Sequence, residues 1–358
     1  MSAELIPMTR QAVLEALRTN RTVQNAELTG LDLSGLDLNL GRFHGCRLDR
    51  ANFAGLKLSK TGFRDCSFKG ASFEDCSFTD MLLRRMDFSG ASFKGAHMLR
   101  CHFSGSSLAG ANVEGARIHW TFLDKTVLAG ALFHGAEFLK SVCLEADCRG
   151  ADFSGARLER VTFRKAKMEG SLLRGAEFDH VNLSAAQLAG HDFSGQKLRS
   201  VNFSGAELSG ADFTGADVCT CVFQGAVLTG AKLTRVLAQK CMFAAAKLDM
   251  ASGVEGDFAL SYFGEADLSR ADFRQARFRG ARFEKAKVLQ AAFMDSDCYN
   301  CDMSHADLSG SDFSRANMFL ACLHGVRDEK TKFDGANKLY LRGPDADMAA
   351  AESFQAPE

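Results

Sequence analysis

Cys298-Tyr299-Asn300-Cys301 sets two thiols at the spacing of half a zinc site, and Cys322 and His324 follow shortly downstream. A structural zinc needs a second pair at matching spacing. Here Cys298 and Cys301 fall in inward slots of the repeat set out below, so they read as core filler, and neither a metal nor a cofactor is expected. His191 stands in an inward slot otherwise held by Ala and reads as a hydrogen-bonded core histidine. Cys219 faces outward by phase and is the best candidate for a modifiable thiol, yet no neighbour in sequence would activate it. No Ser/His/Asp or Cys/His set converges on one place. The recurring acids Asp152, Asp192, Asp212 and Asp272 form a regular column and read as turn supports. The glycines recur in steps of five instead of forming a phosphate-cradling loop. These patterns argue against an enzyme.

What positions all of these residues is a five-residue period. Leu, Phe or a close substitute recurs at every fifth position from Leu28 to Leu323 without an insertion. Two positions earlier sits a small residue, as at Ala51, Cys66, Ala111 and Ala271; one earlier is Asp, Asn or Ser; two later is often Gly. A motif such as Ala51–Gly55 or Ala151–Gly155 returns about sixty times, the mark of a solenoid. A helix is excluded, because five residues advance by roughly 500° and the apolar positions would spiral around it. A plain strand has period two, which does not divide five. Splitting each unit resolves the conflict: the centre and the residue two before it point inward, and the next two residues turn a corner.

These repeats resemble those of the pentapeptide-repeat family across residues 26–335. The resemblance implies an all-β right-handed quadrilateral β-helix, with four pentapeptides in each coil of twenty residues. Phe crowds two opposing walls, in the series Leu33, Phe53, Phe73, Phe93 and the series Phe43, Phe63, Leu83, Phe103. That bias supports an even number of sides; it fits four, and on its own it would also fit two. About fifteen coils follow, a rod of roughly 70 Å at a strand spacing of ~4.8 Å. The centres Ala238 and Gly253 are small, and a kink is expected at 236–256.

Net charge is −1, so no global field draws in nucleic acid or an anionic membrane, and neither is an expected partner. Met1–Pro7 lacks the basic start and apolar core of a signal peptide, and no stretch approaches a membrane span. All three prolines lie outside the repeats. Of the twelve cysteines, all but Cys219 and Cys322 occupy inward slots, which points to free thiols in a reducing, cytoplasmic compartment.

The ends of a solenoid need caps. Residues 9–18 read as a short capping helix, with Thr9 as N-cap and Val13, Leu14 and Leu17 as its apolar stripe. The chain is therefore read as an N-terminal segment with that helix (1–22), a repeat body (23–335) and a tail (336–358) with one helical turn around Asp347–Glu352. Dimers through the C-terminal coil are common in the family, and the resemblance implies a homodimer there.

The outward columns carry what the repeat does not explain. One column just before the centres holds Arg42, Leu82, Phe122, Val142, Val222, Met242 and Tyr262. The opposite column is largely polar, with Asp32, Asn52, Asn112 and Asp152. Leu99, Trp120, Phe122, Leu139 and Val142 are expected to cluster across adjacent coils as a partner-binding patch, since solenoid faces bind partners and aromatic anchors dominate such contacts. The protein thus reads as a non-enzymatic interaction scaffold for an unnamed protein partner. Its helix and the opening run Gly30–Leu38 resemble pentapeptide-repeat proteins that accompany bacterial type VI secretion components as accessory factors. The alternative is a DNA mimic that binds a type II topoisomerase, as fluoroquinolone-resistance members of the family do. That role calls for a strongly acidic rod. Here Arg42, Arg64, Arg84, Arg85, Arg100, Lys140, Arg160 and Arg164 make one side basic.

Overall fold

The computed structural model describes residues 4–345. Its backbone ladders are parallel, and every rung joins a residue to the one twenty positions on: Phe43 to Phe63, Leu58 to Phe78, Asp212 to Lys232, Cys322 to Arg342. Four five-residue units make one turn, so the coil has four sides, and the two-sided alternative that the Phe pattern left open is removed. The fold is a β-solenoid with a single short helix among the described residues.

The chain opens with β1 (Ile6–Pro7) and α1 (Arg10–Thr19). Thr9 caps the helix, its hydroxyl accepting the Ala12 N–H at 3.2 Å. Val13 is fully buried. Leu17 lies so close to Gly41 that any side chain there would collide with it. The helix therefore covers the first coil as its apolar stripe suggests. No periodicity announces β1, which pairs in parallel with β3 (Ala26–Glu27) and carries the twenty-residue register back to Ile6. The cap is thus a strand plus a helix in place of three sides of a turn.

Contacts divide the chain into two units, Met1–Gln187 and Leu188–Glu358. In the first unit β2 (Thr22–Gln24), β4 (Arg42–His44) and β6 (Gly62–Arg64) form one three-stranded sheet. On another side β5 (Lys57–Ser59), β7 (Ser77–Thr79), β8 (His97–Leu99), β9 (Arg117–His119), β10 (Glu137–Leu139), β11 (Arg157–Glu159) and β12 (Glu177–Asp179) stack in coil order. The remaining sides, and all sides of the second unit, carry single bridges between tight corners. At such a corner the N–H of the next unit returns to the centre carbonyl, as Leu56 does to Phe53 at 3.1 Å, with Gly55 at φ +71°. This is the pattern of a turn that demands a positive φ at its second central residue.

Centres and small residues fill the axis. Within a wall the rings lie face to face, as in Phe223–Phe243 (4.9 Å, 3°) and Phe243–Phe263 (4.8 Å, 5°). Opposed walls meet edge to face, as in Phe213–Phe223 (5.9 Å, 88°). Such pairs add about 0.5–1.5 kcal/mol each beyond burial.

Two expectations about boundaries change. No interruption marks 236–256: Leu237 bridges both Asp217 and Asp257, Ser252 bridges Lys232 and Asp272, and the segment lies inside the second unit. The small centre at Gly253 is filled by Phe258 and Phe273. The division of the chain falls instead after Gln187. Nor does the coil stop at 335. Arg342 still donates to Ala321 at 2.8 Å, because the backbone ladder persists although the centre slots now hold Asp328 and Lys338. The helical turn expected around Asp347–Glu352 lies outside the described residues.

Candidate partner-binding site

The column just before the centres is set by the ladder. Leu82 bridges His102, His102 bridges Phe122, and Phe122 bridges Val142. The corner column beside it holds Asp80, Arg100, Trp120, Lys140 and Arg160, one per coil. Trp120 takes φ +55°, as every corner residue must, so its ring projects outward. Leu82 is 62% exposed, Trp120 47% and Phe122 37%; Val127, Leu132 and Leu172 also face outward, but in other columns and apart from these three.

These side chains line one groove of about 450 Å³, together with Asp80, Arg100, His102 and Lys140. The Lys140 Nζ sits 4.3 Å above the Trp120 ring, a cation–π contact. His102 stacks on Phe122 at 4.6 Å with planes 9° apart. Arg100 grips Asp80 with two hydrogen bonds of 2.6 and 2.9 Å, which hold the Asp80 carboxyl below its usual range. The result is an apolar floor with cationic walls and no nucleophile–base pair.

Of the residues expected from sequence, Trp120 and Phe122 line the groove, and Val142 bridges Phe122 in the next coil without lining it. Leu99 and Leu139 do not join the groove. They lie in a third column on either side of His119, in register on β8, β9 and β10. Leu82, His102 and the Asp80–Arg100 pair were missed as site residues. Twenty-residue spacing from Phe122 and Trp120 would have found them.

The other candidates keep to structural roles. Cys298 and Cys301 are fully buried, and the Cys301 thiol donates to the Phe278 carbonyl at 2.9 Å. Cys322 lies against Ser304, and His324 Nδ1 accepts the Asp345 N–H at 2.9 Å. Among the described residues, no three His, Cys, Asp or Glu side chains are grouped to hold a metal. His191 is buried beside Phe193. Cys219 donates to the Gln239 side chain at 2.6 Å, and burial with Asp217 nearby raises its pKa. The column aspartates support turns: Asp152 accepts from Ser154 N at 2.8 Å, and Asp192 and Asp212 accept likewise two residues on. Among the described residues no helix is long and apolar enough to cross a membrane.

A profile of the family described as pentapeptide repeats matches in eight copies, over residues 46–85, 87–123, 143–179, 176–215, 257–291 and 296–327, more than half of the chain. The chain belongs to the pentapeptide-repeat family. Comparison with curated proteins finds no match. Solved structures similar to this pentapeptide-repeat protein include three of the family. One is a pentapeptide repeat protein of the Arabidopsis thaliana thylakoid lumen (29% identity, 23% of this chain and 57% of that one, TM-score 0.22). Another is HetL of the cyanobacterium Nostoc sp., involved in heterocyst differentiation regulation (19%, 75% and 91%, 0.23). A third is QnrB1, a plasmid-mediated fluoroquinolone resistance protein (20%, 59% and 91%, 0.26).

Proposed function

We propose that the protein is a non-enzymatic interaction scaffold that engages a protein partner through the face around Trp120. The observation that carries this reading is the groove of Leu82, Trp120 and Phe122. The repeat needs apolar side chains at its centres and has no use for them in outward columns. Aromatic anchors in a pocket with a polar rim are what interface hot spots are made of. The free state of all twelve cysteines supports a reducing, cytoplasmic setting. A second contact is proposed at the C-terminal coil as a homodimer interface: Leu339 and Tyr340 are 58% and 67% exposed there, and Phe333 and Leu341 are not fully buried. The finer reading as a type VI secretion accessory factor rests on the N-terminal helix and the run Gly30–Leu38. Trp120→Ala combined with Phe122→Ser tests the face. The variant should stay soluble and folded yet lose partner recovery in pull-down; unchanged recovery would remove the face from the account.

A further inference from the structure

We propose that the Trp120 face binds an extended acidic polypeptide segment, its carboxylates held by Arg42 and Arg84 and an apolar side chain seated between Leu82, Trp120 and Phe122. This rests on the interaction reading above and gives the partner its chemistry.

Two grooves open along the same column. Besides the one around Trp120, a second of about 400 Å³ lies against Arg42, His44 and Arg64. It exists because Gly62 contributes no side chain, leaving a notch above Phe43 and Phe63. From Gly62 to Phe122 is three coils, roughly 14 Å at ~4.8 Å per coil, the reach of about four or five extended residues. A segment crossing the coils can therefore place a carboxylate in one groove and an apolar side chain in the other.

Charge fixes the sign of the occupant. Most acids of this face are already engaged by cations, Asp65 with His44 and Arg64, Asp80 with Arg100, Glu145 with Lys125 and Glu159 with Arg157, while Asp124 is half-buried and accepts the Leu144 N–H at 3.2 Å. Arg42, Arg84, Arg85, Lys140, Arg160 and Arg164 have no carboxylate partner among the described residues. Nucleic acid is the weaker match. The paired acids interrupt any stripe that could follow a phosphate backbone, and the whole chain carries a net charge of −1. Strand addition is closed off as well, because the backbone N–H and C=O groups along this column are spent on neighbouring coils, as Phe122 N is on Cys101 O at 2.9 Å. Recognition must run through side chains.

The test is fluorescence anisotropy of the full chain with labelled twelve-residue probes. One carries three Glu, then four Gly/Ser residues, then a Phe. Its controls replace Glu by Lys, or Phe by Ala, and a labelled single-stranded oligonucleotide of equal length runs beside them. The Glu–Phe probe should bind at least tenfold more tightly than the Lys–Phe probe. Arg42→Glu with Arg84→Glu should weaken it about tenfold while the circular dichroism spectrum stays unchanged, and Arg84→Lys should retain most of the affinity. Equal binding of the Glu and Lys probes, or tighter binding of the oligonucleotide, overturns the acidic assignment. If the Phe-to-Ala change in the probe, or Trp120→Ala in the protein, still weakens binding in that case, the interaction face itself stands. Failure of the Glu–Phe probe to bind at all, with partner recovery still dependent on Trp120, likewise overturns the acidic assignment and spares the face.

Discussion

Gly253 and Phe273 share one space: the Phe273 ring occupies the volume that a side chain at 253 would need, and Phe258 Cζ closes it from the other side at 3.1 Å. The residue that looks like a gap in the repeat is the counterpart of a ring one coil on. Gly253→Ala should therefore destabilise the protein by about 1–3 kcal/mol through overpacking. Its φ is not in the left-handed region, so backbone strain plays no part. Urea unfolding checks this, and adding Phe273→Leu should restore part of the loss; strictly additive effects would show that the two residues do not share the space.

The ring column Phe203–Phe223–Phe243–Phe263–Phe283 runs through the second unit with successive centroids 4.8–5.1 Å apart. Phe243→Ala should cost about 3–5 kcal/mol, because coils on both sides are held by the ladder and cannot collapse into the cavity. Phe243→Leu should cost markedly less. Denaturation midpoints of the two variants separate cavity formation from simple loss of an aromatic.

The architecture was legible in the sequence because the repeat encodes it residue by residue. Each Leu or Phe centre and each small partner points to the axis as the phase requires, down to the burial of Cys298 and Cys301. The corners were less legible. Gly was expected there, yet Arg50, Lys60, Met250 and many others take the same positive φ. The ladder on both sides over-determines the backbone, and the strain at one residue is small beside that restraint. The strand β1 escaped notice because Ile6–Pro7 alone has no period. The site was half legible: Trp120 and Phe122 stand out by type, whereas His102, Asp80 and Arg100 join them only through twenty-residue neighbours. Gly253 misled because a small residue looks the same whether it marks a defect or makes room for a ring.

Thiol chemistry should follow burial. Burial pushes Cys76 and Cys101 up to about 11 and Cys221 to about 12. Cys219 is the one cysteine with appreciable exposure. Iodoacetamide at pH 8 should therefore modify the folded chain at Cys219 first, and slowly, since its own pKa is raised. All twelve cysteines should react in denaturant. Mass spectrometry reads the outcome, and early labelling at Cys76 or Cys101 in the folded protein would contradict the core assignment.

Acid should weaken the turn supports. Hydrogen bonds from Arg274 (2.9 and 2.7 Å) lead the causes that hold Asp272 below its ordinary value of 3.8, aided by the Arg274 backbone N–H and opposed by burial. A depressed carboxyl stabilises the fold above its unfolded pKa and loses that contribution as pH falls through the folded value. Asp272→Asn keeps the turn acceptor but loses the charge pair. At pH 7 it should be less stable than wild type by about 0.2–1 kcal/mol, the range for a solvent-screened pair. The difference should vanish below the depressed pKa; a difference that persists there would assign the effect to packing.

The central claim is that one face of this solenoid meets a partner. Positions 122 and 112 lie ten residues apart, on opposite sides of the coil, one beside Trp120 and one in the polar column. A photo-crosslinking amino acid placed at Phe122 or at Asn112 in cells that express the protein compares them directly. The account predicts a discrete crosslinked protein from 122 that disappears with Trp120→Ala, and none from 112. Equal products from both positions, or a product from 112 alone, would contradict it.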